Sequence, residues 1–290
     1  MSRHIYGKNF AEAYKQILQS VLLNPDHVTS PRGQKTNEIR NLVVEIEDTT
    51  DILFFNKERG IPARYLAGEL IWYFSGRDDL EFISKYSSFW DKISDNGKCN
   101  SAYGNLLFTE KNSEGISEWE WAREALIADE DSRQAIVRFN NPVHSYKGNK
   151  DFVCTLTGIF SIRDGKLDFT VTMRSNDVFF GMTFDYPFFM LLQHQMRCHL
   201  LKYYPYLQLG KFTHFIVSAH MYERNFKTCR NMLKYDFIPT SLPPMNMSLV
   251  CPDGSQTEEM EVLISALENK TNYVGQSDLY GWLWQNAKDK

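Results

Sequence analysis

The residues best suited to chemistry are one cysteine and a polar run that follows it. Cys154 stands in Asp-Phe-Val-Cys-Thr-Leu-Thr, and residues 173–186 read Met-Arg-Ser-Asn-Asp-Val-Phe-Phe-Gly-Met-Thr-Phe-Asp-Tyr. A thiolate is a nucleophile, whereas the guanidinium of Arg174 and the hydroxyl of Ser175 suit a phosphate dianion. Asp185 adds a carboxyl group that can read the edge of a base. The alternatives are a buried core cysteine and, for Asp185, a helix N-cap.

Other polar residues offer groups for an anion, a sugar or a proton. Arg32 lies in a Pro-Arg-Gly loop and Arg133 follows Asp-Ser, so both are candidates for a phosphate, although either residue is also typical of a solvated surface. His220 and Tyr222 share one face if a strand continues through them, and could then bond a sugar hydroxyl. Glu69 lies in an apolar helix, where an unpaired carboxylate is costly. We therefore expect Glu69 either at the surface or in a polar network.

The elements that must position these residues are of mixed α and β type. Asp164-Gly165 between two β-rich runs predicts a hairpin that returns Arg174 alongside Cys154. The first residues, MSRHIYGKNFAEAYKQIL, read as an amphipathic helix, and residues 77–119 read as polar and irregular. Without repeats or linkers, residues 1–290 are predicted to form one α+β domain with antiparallel pairs around one large sheet. Predicted helices cover 8–24, 62–74, 117–128 and 186–201, and predicted strands cover 41–46, 135–139, 152–163, 166–174 and 212–218.

Composition restricts the partners and the compartment. The net charge is −4 and the pI about 6.0, which excludes a general affinity for DNA but allows a few arginines to hold a small anion. Five scattered cysteines without a Cys-x-x-Cys pair indicate a reducing compartment and argue against a zinc site. No apolar run approaches the length of a membrane span, and no signal peptide is recognisable. A cytoplasmic protein without a membrane partner is expected.

Taken in order, these motifs resemble the thymidylate synthase family. The similarity covers most of residues 8 to 235, with 236–290 divergent, and it implies that family's sheet flanked by helices. The run from Arg174 to Gly181 resembles Arg-Ser-x-Asp-x-x-Leu-Gly, and Cys154 falls at the position of the nucleophile. The remaining motifs are Glu69-Leu-Ile-Trp-Tyr-Phe-Ser-Gly76, Tyr103-Gly104, Asp131-Ser-Arg133 and His220-Met-Tyr222.

Departures from the family pattern bear on the substrate. Asp185 stands where the synthases have an asparagine, whose amide matches uracil. A carboxyl group instead satisfies cytosine, either as the neutral acid or as a carboxylate beside a protonated nitrogen 3. With Cys154-Thr155 in place of Cys-His, the chain resembles the deoxycytidylate hydroxymethylases within the family. Gln134 replaces a second arginine, Ile159 replaces a glutamine, and the tail Trp-Leu-Trp-Gln-Asn-Ala-Lys-Asp-Lys differs from the apolar end that closes over the folate.

The resemblance implies folate-dependent one-carbon transfer from 5,10-methylenetetrahydrofolate to carbon 5 of a pyrimidine nucleoside monophosphate, with dCMP favoured. Cys154 would add to carbon 6, while Glu69 and Tyr103 order water and move protons. It further implies a homodimer formed through the sheet, in which the neighbouring subunit supplies Arg133. The implied binding residues are Arg32, Arg133, Arg174 and Ser175 for phosphate; Asp185, His220 and Tyr222 for the nucleoside; and Asp177, Trp90 and Gly181 for the cofactor.

Three alternatives remain open from the sequence. A thymidylate synthase would methylate dUMP, and a dCMP 5-methyltransferase would methylate dCMP. The third is a non-catalytic homologue that binds nucleotides or RNA, against which the intact Cys154, Arg174 and His220 argue.

Overall fold

The computed structural model describes residues 3–94, 96–275 and 278–289. Its strands are β1 Arg3–Gly7, β2 His27–Thr29, β3 Thr36–Ile46, β4 Leu53–Phe55, β5 Ile136–Arg138, β6 Thr155–Arg163, β7 Lys166–Met173, β8 Asn176–Asp177, β9 Gln208–Tyr222 and β10 Ile238–Thr240. Its helices are α1 Phe10–Leu23, α2 Ala63–Phe74, α3 Leu80–Ile83, α4 Phe89–Ile93, α5 Glu118–Ala128, α6 Met182–Leu200, α7 Phe226–Met232, α8 Glu258–Asn269 and α9 Asp278–Ala287.

The chain forms two compact units, each assembled from separate segments. The first contains the described residues up to Ile61, together with Cys154–Arg197 and Tyr206–Leu242. The second contains Pro62–Val153, Cys198–Pro205 and the described residues from Pro243 onward. The expectation of one domain over residues 1–290 stays a prediction.

The first unit is organised around a mixed sheet, as expected for the α+β class. Along the strand order β1-β3-β9-β7-β6, the β1–β3 and β9–β7 pairs are parallel, and the β3–β9 and β7–β6 pairs are antiparallel. β2 joins β3 and β8 joins β9, while β4 and β10 form a separate ribbon. The helical expectation for the first residues is wrong before Phe10, because β1 pairs with residues 42–46, a distant partner that a local pattern does not reveal.

Buried and more exposed side chains alternate along β3, β7 and β9, so that one face of this sheet is buried. Helix α1 begins at Phe10, with the Asn9 side chain accepting a hydrogen bond from the backbone N–H of Glu12 as an N-cap. Phe10 stacks on Tyr186 of α6 at 4.7 Å between ring centroids, and Tyr186 meets the edge of Phe212 on β9 at 5.3 Å. Each fully buried aromatic of this kind stabilises the unit by roughly 2 kcal/mol. The opposite face of the sheet stays partly exposed, with Ile159 at 37%.

The second unit is mainly helical, and two glycines allow its segments to approach closely. A Cβ on Gly68 of α2 would lie 2.3 Å from the ring of Tyr86, and one on Gly104 would lie 1.7 Å from the backbone oxygen of Tyr73. Arg64 of α2 donates hydrogen bonds to the carbonyl oxygens of Ala287 and Lys288, where α9 ends. Much of the divergent tail is therefore a packed helix of this unit.

Candidate functional site

Cys154 and Arg174 lie at the open end of the β6–β7 hairpin in the first unit. Asp164 and Gly165 both have positive φ, at 50° and 70°, as a tight two-residue hairpin turn requires. The backbone N–H of Arg174 donates to the carbonyl oxygen of Cys154 at 3.0 Å, so the expected proximity is confirmed. The expectation that Cys154 lies within the strand is wrong, because β6 begins at Thr155 and a register shift follows at Thr155/Thr157. Bulges of this type re-aim neighbouring side chains.

Asp177 turns the chain from β8 toward α6. Its Oδ1 accepts hydrogen bonds from the backbone N–H groups of Phe179, at 2.8 Å, and Phe180, at 3.2 Å. This local bonding is the usual behaviour of an aspartate in a turn. Gly181 follows in a confined position, where a Cβ would lie 3.2 Å from Oδ2 of Asp185 and 3.3 Å from the carbonyl oxygen of Asp177. Two of the three residues predicted to hold the cofactor, Asp177 and Gly181, therefore shape the turn beside Asp185.

Asp185 lies in the first turn of α6, with its carboxyl directed into the protein. The N-cap interpretation is wrong, because α6 begins at Met182 and the backbone N–H of Asp185 donates to Gly181 at 2.9 Å as a helical residue. Asn176 Nδ2 donates to Oδ2 of Asp185 at 2.6 Å. Burial raises the pKa of the Asp185 carboxyl to about 7; the hydrogen bond from Asn176 opposes this and the charge of Asp177 adds to it. The half-buried side chain is thus present in both protonation states near neutral pH.

Ser175, His220 and Tyr222 come together where β8 lies beside β9. Ser175 Oγ is 3.3 Å from Nδ1 of His220, and Asp177 pairs with His220 across the two strands. Strand β9 continues through Tyr222, so His220 and Tyr222 share a face as expected, with ring centroids 5.3 Å apart in an edge arrangement. Arg224 lies over the Tyr222 ring at 4.2 Å. This cluster presents hydroxyl and imidazole groups of the type that bind a sugar or phosphate.

Arg32 lies in an exposed turn of the same unit, and its φ of 51° falls in the left-handed region. The segment that follows is fixed to the end of β9, because Thr36 pairs with Tyr222 and the N–H of Glu223 donates to the carbonyl oxygen of Lys35 at 3.0 Å. Arg32 therefore lies four residues before Thr36, the residue that pairs with Tyr222. Its role as a phosphate ligand stays a prediction.

In the second unit, Glu69 is 6% exposed and held in a polar network, which was one of the two expectations for it. Tyr65 Oη donates to Glu69 Oε1 at 2.6 Å, and Tyr73 Oη lies 3.5 Å from the same oxygen. Trp90 Nε1 donates in turn to Tyr65 Oη at 3.1 Å. Because these donors satisfy the carboxylate, its burial is tolerated. Trp90, 4% exposed, serves as a support of this network, and its predicted contact with the cofactor stays a prediction.

Tyr103 adjoins the Glu69 network through Tyr73. The two rings stack with centroids 5.2 Å apart, and Phe139 meets the edge of Tyr103 at 5.1 Å. Tyr103 and Gly104 are both helical and lead directly into a π-helical turn at Asn105–Thr109. Arg133 is exposed at the surface of this unit.

Sequence reasoning missed three polar residues of these clusters. Tyr65 and Tyr73 are spaced four residues before and after Glu69, so the helical period of α2 contained a signal for their contact. Asn176 carried no comparable signal, because its contact with Asp185 depends on the turn at Asp177. Among the described residues, no cluster of His, Cys, Asp and Glu has the arrangement of a metal site. Nor is any helix in the described ranges long and apolar enough to cross a membrane.

Comparison with known proteins places these features in one context. The profile of the thymidylate synthase family matches residues 12–267. The chain is 32% identical to a deoxyuridylate hydroxymethyltransferase of Bacillus phage SP01 over 60% of its length, and that match spans about half (48%) of the phage protein. It is 30% identical to a deoxycytidylate 5-hydroxymethyltransferase of Enterobacteria phage T6 over 71% of its length and 83% of that protein. The corresponding enzyme of phage T4 is 32% identical over 57% of this chain and 66% of that protein.

Proposed function

Because the chain belongs to the thymidylate synthase family, with a match over residues 12–267, we propose that it hydroxymethylates dCMP at carbon 5. The observation that carries the choice of base is the half-buried carboxyl of Asp185, which accepts a hydrogen bond from Asn176. The reaction consumes dCMP, water and 5,10-methylenetetrahydrofolate, and it yields 5-hydroxymethyl-dCMP and tetrahydrofolate.

The preference for cytosine is assigned to the hydrogen-bond polarity of the Asp185 carboxyl, which depends on the oxygen that carries the proton. Cytosine presents an amino donor at position 4 and a bare nitrogen 3, whereas uracil presents an oxygen and an N–H at the same two positions. A neutral carboxyl offers one donor and one acceptor, and a carboxylate can pair with the amino group and a protonated nitrogen 3. The pKa of Asp185, raised to about 7 by burial, makes both forms accessible. An unmatched buried group costs about 1–3 kcal/mol, enough to discriminate between the bases.

The chemistry begins at the thiol of Cys154, which adds to carbon 6 of the ring and makes carbon 5 nucleophilic. Arg174 and Ser175 hold the phosphate, with Arg32 and Arg133 as further ligands, and His220 and Tyr222 hold the sugar. Glu69 and Tyr103 are assigned the ordering of water and the movement of protons at carbon 5. Once carbon 5 carries the one-carbon unit it loses its proton, and addition of water to the exocyclic carbon expels the thiolate from carbon 6. This restores the aromatic pyrimidine and regenerates Cys154.

The first unit has a carboxylate suited to a pterin ring. One oxygen of Asp177 is occupied by two backbone N–H groups, which fixes the orientation of the side chain. Its second oxygen is then available to accept from a ring N–H, and the exposed Phe180 (49%) offers an apolar surface nearby. When bound, 5,10-methylenetetrahydrofolate supplies the one-carbon unit. These residues, together with Gly181, fit such a cofactor.

A second candidate substrate is dUMP, favoured by the name of the Bacillus phage relative. Methylation of dUMP or of dCMP is the other candidate reaction, since addition of hydride instead of water to the exocyclic carbon gives a methyl group. The presence of Asp185, where the synthases have asparagine, supports dCMP over dUMP.

A homodimer is part of the proposal. The sheet face opposite α1 and α6 is only partly covered within the described chain and displays short and apolar side chains, namely Ile159, Thr170, Thr172, Phe215 and Val217. A second copy of the same face would bury this surface, as the family resemblance implies, and a neighbouring subunit would then contribute Arg133.

Mass spectrometry of the product tests the proposal directly. Purified protein is incubated with dCMP or dUMP and 5,10-methylenetetrahydrofolate. A gain of CH₂O on dCMP is expected, and Cys154→Ala should abolish it. A gain of CH₂ would mean methylation, product from dUMP alone would overturn the assignment of the base, and no product with either would overturn the activity. Asp185→Asn should shift the preference from dCMP toward dUMP.

A further inference from the structure

Asn176 has a buried side-chain amide that takes no part in the reaction proposed above. It is 2% exposed and lies on β8, where it pairs with Ala219 of β9. Its Nδ2 donates to Oδ2 of Asp185 at 2.6 Å and lies 3.3 Å from Sδ of Met173. Its Oδ1 is also buried and has no hydrogen-bond partner in the described part of the chain. A side chain enclosed in this way is held in a fixed orientation toward Asp185.

The amide controls which oxygen of Asp185 can carry a proton. An amide nitrogen is a donor and cannot accept a hydrogen bond. The Asp185 oxygen beside it must therefore be an acceptor, and a bound proton must sit on the other oxygen. Rotation of the carboxyl by half a turn exchanges the two oxygens but not their roles, because the position beside Asn176 stays the acceptor position. Because Gly181 has no Cβ, which would lie 3.2 Å from Oδ2, no side chain at that position competes with Asn176 for this oxygen.

Without such a neighbour, a neutral carboxyl does not distinguish the two bases. With the proton on one oxygen it donates to nitrogen 3 and accepts from the amino group of cytosine. With the proton on the other oxygen it accepts from the N–H and donates to oxygen 4 of uracil. An acid in place of an amide is therefore insufficient for specificity by itself.

We propose that Asn176 is a positioning residue for substrate selection, which fixes the donor and acceptor ends of the Asp185 carboxyl so that it pairs with cytosine and not with uracil. This inference rests on the proposed function, since it assumes that Asp185 faces the pyrimidine. It assigns the oxygen beside Asn176 to the amino group of the base and the second oxygen to nitrogen 3.

The charged and titratable neighbours of Asp185 determine the pH range of this selection. The charge of Asp177 on β8 raises the pKa of the Asp185 carboxyl, and the hydroxyl of the adjacent Tyr186 has a pKa raised by its own burial and by Asp185. The hydrogen bond from Asn176 acts in the opposite direction. Removal of the amide should therefore raise the pKa of Asp185 and extend the neutral, ambivalent form to higher pH.

The test is the ratio of Kd values for dUMP and dCMP, measured by calorimetry without folate across a pH series. Asn176→Leu keeps the branched shape of the side chain but has no donor, and Asn176→Ser provides a hydroxyl that can donate. The matched control is Asn37→Leu, a second buried asparagine of the same unit, whose amide donates to the carbonyl oxygen of Val21. We expect Asn176→Leu to reduce the discrimination in favour of dCMP by about tenfold or more. Asn176→Ser should recover part of it, and Asn37→Leu should leave it within about twofold of wild type.

An unchanged Kd ratio in Asn176→Leu, or an equal loss in Asn37→Leu, overturns the inference. A ratio that collapses only in Asn176→Leu supports it even if the product assay finds no hydroxymethylation, which would overturn the proposed reaction alone. If wild-type protein binds neither nucleotide, both proposals fail. If the Leu variant does not fold, Asn176→Ala decides: a ratio equal to wild type at every pH then counts against the inference, and a loss of discrimination supports it.

Discussion

Asp185→Asn provides a test of the acidic residue that needs no substrate. Burial raises the pKa of this carboxyl from 3.8 to about 7. Between these values the folded protein retains a proton that the unfolded chain has released, so the unfolded state binds fewer protons. The contribution of Asp185 to the free energy of unfolding should therefore decrease as the pH rises from about 4 to about 7. Asparagine does not titrate, so the variant should lack this decrease.

The size of the expected change in stability follows from the pKa shift of Asp185. About three pKa units at 1.36 kcal/mol each give about 4 kcal/mol. Because the residue is half-buried, solvent screens part of the charge, and about 2 kcal/mol is a realistic lower value. The asparagine keeps an acceptor oxygen for Nδ2 of Asn176, so the variant preserves the 2.6 Å contact instead of leaving a donor unpaired. The stability of the variant relative to wild type should thus rise by about 2–4 kcal/mol across this interval and level off above it.

The assay is urea-induced unfolding from about pH 4 to about pH 9, at one ionic strength and one protein concentration. Asp164→Asn is the matched control, since it removes one carboxylate from an exposed turn, where asparagine also tolerates positive φ. Its difference from wild type gives the baseline with which the pH dependence of Asp185→Asn is compared. The reasoning is refuted if the difference between Asp185→Asn and wild type also stays constant to within about 0.5 kcal/mol.

Three further predictions concern stability and assembly. His214 is fully buried and burial lowers its pKa to about 3. Its contribution to stability should therefore fall by on the order of 4 kcal/mol as the pH drops from 6.5 toward 3. In acid unfolding curves, His214→Phe should gain that amount relative to wild type, and a difference that stays constant with pH would contradict this. Gly104→Ala should destabilise the protein by about 3 kcal/mol or more, because the added Cβ would lie 1.7 Å from the backbone oxygen of Tyr73. Gly281→Ala is the control and should be neutral or stabilising, because nothing lies within 4 Å of its Cβ position. Similar melting temperatures for the two variants would be inconsistent with this. Phe215→Arg, on the partly exposed sheet face, should convert a dimer into monomers in light scattering, and an unchanged mass would argue against that interface.

Local signals in the sequence were sufficient for several elements. The Asp164-Gly165 turn is encoded by two adjacent residues that accept positive φ, and this local signal is sufficient to predict the pairing of β6 with β7. Helix α5 begins where expected, because Ser117 is its N-cap and accepts from the N–H of Glu120. The mixed sheet and the proximity of Arg174 to Cys154 follow from signals of this kind.

Distant contacts required the tertiary structure. The pairing of β1 with β3 makes a strand of residues that a local pattern reads as the start of a helix. Helix α6 begins at Met182 and not at Tyr186, because Asp177 turns the chain and Gly181 accepts the first helical hydrogen bonds. This earlier start moves Asp185 from a capping position into the protein.

The sequence by itself determined the types of group that can act: a thiol, arginines, a histidine and an acid where the family has an amide. The tertiary structure decided the environment of that acid. Asn176 and Asp185 are nine residues apart, and their contact exists only because a turn joins β8 to α6. The pKa and hydrogen-bond polarity of a carboxyl depend on desolvation and on the neighbours that folding supplies, so no reading of residue types could have given them.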